Sequence, residues 1–440
     1  MDTKIIAIVA VVVLVGAGAG AYMIMAGGPE NQMHIDASLS IYGNADNDYK
    51  IDENDVSTVE KIISGELAAN DHPLADANKD GVVDAKDIDQ INDMISKKST
   101  TIYVHDATDA AIAIEYPLKH IVPVGTNLIS MIIQVGGADA IAGYTKTNYG
   151  MAHAPILDNA VGLGGSIFDL NTDESIQAFM DLDSRTEGGI DAVIAQNSAS
   201  YLKTSAAFLK NAGVSILRFE AAEGMDSISG ALTIGYILGE EAEKQSIEYA
   251  DLSYRVMEEV QEKLKTVDEA DLKKSFSVTM GYYLCGKESD YSGLTALAGS
   301  PTVSTLDDDG STKLVDGDEY YLNWDADYIV SYRTLDYSID YTDISTGKTM
   351  TPSDTWKAYM KWFINMDCYE NMVYINTSMP VVCRIAYLAE LFYPEVFGEG
   401  YGDSVHQEFV DSFMSYMGED FDVSEDMTCL ITYDMVKDEL

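Results

Sequence analysis

Apolar residues recur at helical spacing twice between residues 43 and 97. The first set is Val56, Val59, Ile62 and Ile63, and the second is Ile88, Ile91, Met94 and Ile95. The two sets superpose at an offset of 32 residues, which marks an internal repeat of two short amphipathic helices whose apolar faces bury each other. Ahead of them, Lys4 precedes an uncharged run over residues 5–26. That run is long enough for a bilayer, which needs about 20 apolar residues. It continues through Tyr22-Met23-Ile24-Met25, past the small-residue tract at 16–21 where a signal segment would be cut. This favours an uncleaved membrane helix within residues 1–28, a cleaved signal segment being the alternative. Either way the rest of the chain is exported.

From residue 101 the pattern changes to short apolar runs alternating with helical ones. Residues 103–106 and 111–114 read as a hairpin. Strands follow at 120–124, 140–144, 191–195 and 214–217, separated by helices near 127–133, 174–179 and 200–211. Such alternation predicts βαβ units and a mostly parallel sheet. A long helix is predicted over 240–266, because Tyr249, Leu252, Val256, Val260 and Leu264 form one stripe and no glycine or proline follows Gly239. Strands then restart at 276–282 and 327–331, and the chain closes with helices near 356–364, 381–392 and 405–417. The predicted fold class is α/β. Two Rossmann-like lobes (about 118–235 and 270–440) are joined by the long helix, and a small all-α module (43–97) and the membrane helix precede them.

Charge changes this picture by exclusion. The net charge of −46, from 73 acidic and 27 basic residues, argues against nucleic acid as a partner. The four cysteines, Cys285, Cys368, Cys383 and Cys429, have no CxxC spacing, so a zinc or thioredoxin-like site is not expected, while one or two disulfides remain open. No GxSxG elbow, HExxH, P-loop or paired histidine–carboxylate cluster is present, so the chain does not read as an enzyme.

The acidic residues just ahead of the repeated helices carry the clearest chemistry. Asn44, Asp46, Asp48, Asp52 and Asp55 occupy positions 1, 3, 5, 9 and 12 of a loop, and Asp76, Asn78, Asp80, Asp84 and Asp87 occupy the same positions of a second. Lys50 and Val82, at position 7, would each offer a backbone carbonyl. Calcium takes six to eight hard oxygens on such a bent loop, so two calcium ions are expected. Position 6 makes a sharp turn; Gly81 suits it and Tyr49 does not, so the first site is expected to be the weaker.

A calcium loop followed by one helix, repeated, resembles the type I dockerin module. The resemblance implies a cohesin-bearing partner docked on loop positions 10 and 11. Here these are Glu53-Asn54 and Ala85-Lys86, different in the two repeats, which argues against symmetric two-way binding.

Matches spread over residues 101–420 resemble the class III substrate-binding proteins of ABC importers, the receptors for iron chelates, haem and cobalamin. They are Val104-His105-Asp106, Ile114-Glu115-Tyr116-Pro117, Lys119-His120-Ile121-Val122 and Ile190-Asp191-Ala192-Val193-Ile194. Further along come Trp324-Asp325-Ala326-Asp327-Tyr328-Ile329-Val330, Met379-Pro380, Ala386-Tyr387-Leu388-Ala389 and Phe392-Tyr393-Pro394-Glu395. Ile190 and Ala326 stand where the family has proline. The resemblance implies an extracytoplasmic receptor that traps a metal chelate (iron–siderophore or haem) or a corrinoid between its lobes and delivers it to a permease and its ATPase. A dockerin-directed surface scaffold with a non-binding α/β part is the alternative. Loops at the carboxyl ends of strands face such a cleft. The expected ligand residues are Tyr144, Asn148, Tyr149, Gln196, Asn197, Tyr283, Tyr291, Tyr332 and Arg333, with His153 a further candidate for an axial metal contact. Glu174 and Glu319 are the expected permease contacts. A helical strut resists bending, so lobe closure should be small. The calcium module is expected to tether the receptor without touching its ligand.

Overall fold

The computed structural model describes residues 37–145, 155–220, 224–307, 310–314, 320–333, 339, 341–342, 348–359 and 362–440. The anchor expected within 1–28 lies outside them. Among the described residues no helix is long and apolar enough to cross a membrane.

The repeat forms as expected. Helices α1 (Glu53–Ser64) and α2 (Ala85–Ile95) each start at an aspartate N-cap, Asp52 or Asp84. A second aspartate three residues on, Asp55 or Asp87, returns the bond to the cap backbone, so both helices carry a reciprocal capping box. Next comes the antiparallel hairpin β1 (Thr100–His105) and β2 (Ala111–Tyr116).

Lobe one contains β3 (Ile121–Val124), α3 (Thr126–Gln134), β4 (Gly143–Thr145), β5 (Val161–Gly164), α4 (Asp173–Arg185), β6 (Ala192–Gln196), α5 (Ala206–Asn211) and β7 (Ser215–Phe219). Strands β3, β6 and β7 form a parallel sheet in that order, and β4 pairs parallel with β5. The strands read as unbroken apolar runs because helices cover both faces. Two sequence expectations shift here: the helix placed at 200–211 begins at Ala206, and the strand placed at 140–144 begins at Gly143.

Helix α6 (Asp226–Leu238) was not anticipated. It is buried on nearly every side, so its sequence lacks the polar face that makes a helix legible. After the single residue Gly239, at φ 109°, the chain reverses into α7 (Glu240–Leu264). The two helices pack very closely: a Cβ built on Gly235 would lie 2.2 Å from Ser246 Oγ. Helix α7 has 25 residues and so spans about 37 Å at 1.5 Å per residue. Its amino-terminal half packs on α3 and α6.

Lobe two contains β8 (Ser275–Thr279), β9 (Tyr283–Cys285), α8 (Asp290–Leu297), β10 (Ser311–Lys313), β11 (Tyr328–Arg333), β12 (Tyr341–Thr342), β13 (Thr349–Met350), α9 (Pro352–Tyr359), β14 (Met372–Asn376), α10 (Val381–Phe392), α11 (Pro394–Phe397), α12 (Tyr401–Phe413) and β15 (Leu430–Thr432). Its sheet runs β10-β9-β8-β11-β14-β15, with β8, β11 and β14 parallel and the other three antiparallel at the edges. Tyr249 of α7 meets Phe409 of α12 edge-on at 5.1 Å, and Arg255 pairs with Glu408 at 2.5 Å, so the same helix is fixed to both lobes. The four cysteines are buried and free, so no disulfide forms among them.

The repeat at 43–97 is not set apart as a tether. Leu39, Ile41, Ala45, Val59, Ile91 and Met94 belong to the same buried cluster as Tyr116, Ile228, Ala231 and Tyr236.

Gly235→Ala overpacks the α6–α7 contact. A denaturant titration should show it less stable by about 1–3 kcal/mol, the usual cost of an extra methyl in a filled interface.

Candidate functional site: an inter-lobe cavity and the paired acidic loops

Helices α3 and α10 each follow the carboxyl end of a central parallel strand, β3 or β14, and α6 follows β7. Connections of this kind bring helix amino termini to one side of a sheet. A cavity of about 20 Å³ lies between the lobes, bordered by the starts of α6 and α10 and by one side of α3 along its length. Asn127, Ser130, Met131 and Gln134 of α3 line one wall, with Ser227 from the start of α6. Thr377, Ser378 and Met379 line the other with Arg384 of α10, and Tyr249 of α7 contributes to the lining. Ordered water needs roughly 10–15 Å³, so the cavity admits one small group.

Arg384 is the only charged residue among those lining this cavity, and it is 2 % exposed. A guanidinium keeps its charge when buried, and its planar fork of donors matches a carboxylate or other oxyanion. Helix amino termini add partial positive charge from N–H groups that lack intrahelical partners. The Val381 end of α10 carries no side-chain cap bond.

Several of the residues expected to bind ligand instead hold the fold together. Tyr332 is buried; its hydroxyl donates to the Tyr291 carbonyl at 3.1 Å, and the two rings stand 4.5 Å apart. Tyr332 thus packs inside lobe two, while Tyr291 is half-buried. Burial pushes the Tyr332 phenol well above its ordinary value. Asn197 donates to Glu220 Oε1 at 2.7 Å and to the Ala107 carbonyl at 3.0 Å, fastening the end of β6 to the hairpin. The Gln196 carbonyl accepts from Arg218 at 3.2 Å. Tyr283 lies beside Tyr282 at 4.7 Å on a strand near the sheet edge. Tyr144 is half-buried in β4. Arg333 sits next to the cavity wall, because its carbonyl accepts the Thr377 N–H at 2.9 Å. Asn148, Tyr149 and His153 lie outside the described residues, as does Glu319. Glu174 is exposed in the first turn of α4.

The cavity wall lies beyond the strand-end loops, and its signal in the sequence is Arg384, the only basic residue in the mostly apolar run from Val381 to Phe392, whose one other charge is Glu390. A charge in that setting is buried with a purpose or paired.

The paired loops repeat their hydrogen bonds as well as their residues. The N–H groups of Asp46 and Asp52 reach the two oxygens of Asp55 at 3.3 and 2.8 Å, and those of Asn78 and Asp84 reach Asp87 at 3.1 and 2.8 Å. Asp55 and Asp87 are both buried. The loops differ at position 1. Asn44 donates to the Leu39 and Asp48 carbonyls at 2.8 and 2.7 Å, so its amide is committed to the backbone. Asp76 carries a buried Oδ1 that has no hydrogen-bond partner among the described residues. An orphaned carboxylate oxygen is costly, and a hard cation would satisfy it. Among the described residues no three His, Cys, Asp or Glu side chains converge into a ready-made metal cage. Lysines hold part of each set: Lys86 meets Asp80 at 2.8 Å, and Lys50 meets Asp52 at 2.9 Å. The donor chemistry of the second loop therefore fits calcium better than that of the first.

No known family profile matches this chain, and no curated protein matches it in sequence. Solved structures do. A periplasmic solute-binding protein from Veillonella parvula aligns with a TM-score of 0.53 at 16% identity, over 77% of this chain and 99% of that one. CeuE of Helicobacter pylori, in a nickel–histidine complex, aligns at 0.54 and 13% identity, over 74% and 98%. The molybdate-binding protein MolA of Haemophilus influenzae, with molybdate bound, aligns at 0.53 and 14% identity, over 72% and 98%. The chain thus has the two-lobed α/β fold of periplasmic solute-binding proteins.

Proposed function

We propose that this chain is the extracytoplasmic solute-binding receptor of an ABC importer, and that it captures an anionic metal chelate or a corrinoid between its lobes. The observation that supports this reading is the inter-lobe cavity with buried Arg384 in its wall and the starts of α6 and α10 beside it. Such a site selects a ligand that presents carboxylate, phosphate or another oxyanion group. The cavity admits only one small group, so it receives the charged end of the ligand while the bulk lies above it between the lobes. The matched proteins include one with molybdate bound and one with nickel and histidine, so this fold accommodates both oxyanions and metal complexes. The chain's role is to bind and release, with no bond made or broken. Glu174 and Glu319, one on each lobe, would meet basic residues of the permease, and the segment at 1–28 would anchor the receptor at the membrane.

The same proposal assigns two calcium ions to the paired loops, with Asp76, Asn78, Asp80, Asp84, Asp87 and the Val82 carbonyl holding the tighter one. Asn44, Asp46, Asp48, Asp52, Asp55 and the Lys50 carbonyl would hold the weaker. Glu53, Asn54, Ala85 and Lys86 are exposed, and they leave a face on which a cohesin-bearing partner would dock.

The test of the receptor reading is native mass spectrometry of the protein drawn from its own membranes. A one-to-one small-molecule adduct is expected on the wild type, and Arg384→Met should reduce its occupancy by tenfold or more, since losing a charged hydrogen-bond partner costs about 1.5–3 kcal/mol. A wild-type protein that carries no adduct and binds none of the offered chelates would favour the scaffold alternative.

Calcium-free protein should also respond to pH. Burial, with Asp46 and Asp48 close by, pushes the Asp55 carboxyl up to about 8 despite the N–H groups that it accepts. A carboxyl raised above its unfolded value of 3.8 stabilises the fold when protonated, and that stability is lost as pH climbs toward about 8. The melting temperature in chelator should therefore fall across this window, and saturating calcium should flatten the dependence.

A further inference from the structure

The calcium module's position against the inter-lobe helices goes beyond a tethering role. The segment just before the first loop lies along α6. The Ser38 N–H donates to Ser229 Oγ at 3.3 Å, and the Ser40 N–H donates to Thr233 Oγ1 at 3.0 Å. Between these two serines is Leu39, whose carbonyl accepts from Asn44 Nδ2 at 2.8 Å and whose N–H donates to the Asp48 carbonyl at 2.8 Å. Positions 1 and 5 of the first loop are thus one hydrogen bond removed from the residues that grip α6. The module's other end makes a second attachment. Lys97, just past α2, pairs with Glu243 of α7, and its Nζ lies 4.3 Å from the Tyr236 ring centroid. Both Lys97 and Glu243 are largely shielded from solvent. Ile41 bridges to Val104 of β1, and the Tyr42 N–H donates to the Tyr103 carbonyl at 2.9 Å, so the grip also extends to the hairpin.

Helices α6 and α7 are the elements that set the geometry of the lobes. The first loop and α2 therefore clamp the base of the inter-lobe strut from two sides. We infer that the calcium module is a brace on this strut, so that an ion bound in the loops stiffens α6 and α7 and, reciprocally, the grip on α6 and α7 strengthens ion binding. Reciprocity is required by linkage: whatever free energy calcium contributes to the helices, the helices return to calcium. The inference rests on the calcium reading of the loops given above.

The test uses the full chain, stripped with chelator and titrated with calcium chloride in a calorimeter, with hydrogen exchange followed by mass spectrometry in parallel. Ser229→Ala combined with Thr233→Val removes the two hydroxyl acceptors on α6 and leaves every loop residue in place. The double variant should bind calcium about fivefold or more weakly, the lower end of ordinary coupling. Calcium should also slow amide exchange in residues 252–264 of the wild type, a stretch of α7 beyond Glu243. Lys97→Met, which keeps the aliphatic stem, reads the second attachment by the same titration if the double variant does not fold. Coincident isotherms for wild type and variants, with exchange in 252–264 unchanged by calcium, would overturn the brace while sparing the calcium sites. A flat wild-type isotherm would overturn both.

Discussion

Everything about the arrangement of this molecule depends on one close contact between two helices. Where Gly235 of α6 faces Ser246 of α7 there is no space for a side chain, and a Cβ there would lie 2.7 Å from the Ala242 carbonyl. Gly239 makes the reversal between the helices in a backbone conformation that other residues rarely adopt. The contact locks α7 to lobe one. Tyr249 and Arg255 lock the same helix to lobe two. An unbroken α-helix bends little, so the lobes are expected to stand at a nearly fixed separation with the cavity between them. Preformed sites lose less free energy on binding than sites that must be assembled.

Topology then decides the chemistry of that cavity. Within each lobe the helices that follow parallel strands start on one side of the sheet, and the starts of α6 and α10 both border the cavity. A single arginine in the first turn of α10, Arg384, is the one charged side chain in the lining of that cavity. The chain as a whole carries a net charge of −46. Salt screens exposed charges within about 8 Å at physiological ionic strength, and a buried charge such as Arg384 is screened far less.

Much of the fold is legible in the sequence because its elements carry a polar face or a sharp boundary. Helix α10 runs from Val381 to Phe392 as expected, and α7 starts at Glu240 where Gly239 stops the preceding helix. The repeat at 43–97 was visible because ligand positions and apolar positions shift together. Helix α6 was illegible for the opposite reason: with Ile228, Leu232, Ile234, Tyr236 and Ile237 all buried, it has no polar stripe to betray a period. Strand β14 (Met372–Asn376) was missed as a short apolar run without alternation. The site was less legible than the fold. Tyrosines at strand ends looked like ligand contacts, yet Tyr332 and Tyr291 face each other, since an aromatic ring gains more from burial against another ring than from exposure. The docking of the repeat on α6 is also hidden in the sequence, because it is made by the backbone N–H groups of residues 38 and 40, which any residue but proline supplies.

The central claim is that a continuous helix, braced at its base, fixes the lobes around a preformed site. Small-angle X-ray scattering of the ligand-loaded and ligand-stripped protein, both in saturating calcium, tests it most directly. Nearly superimposable curves are expected, with almost no change in radius of gyration. A large compaction on loading would show that the lobes swing freely, and it would contradict the claim.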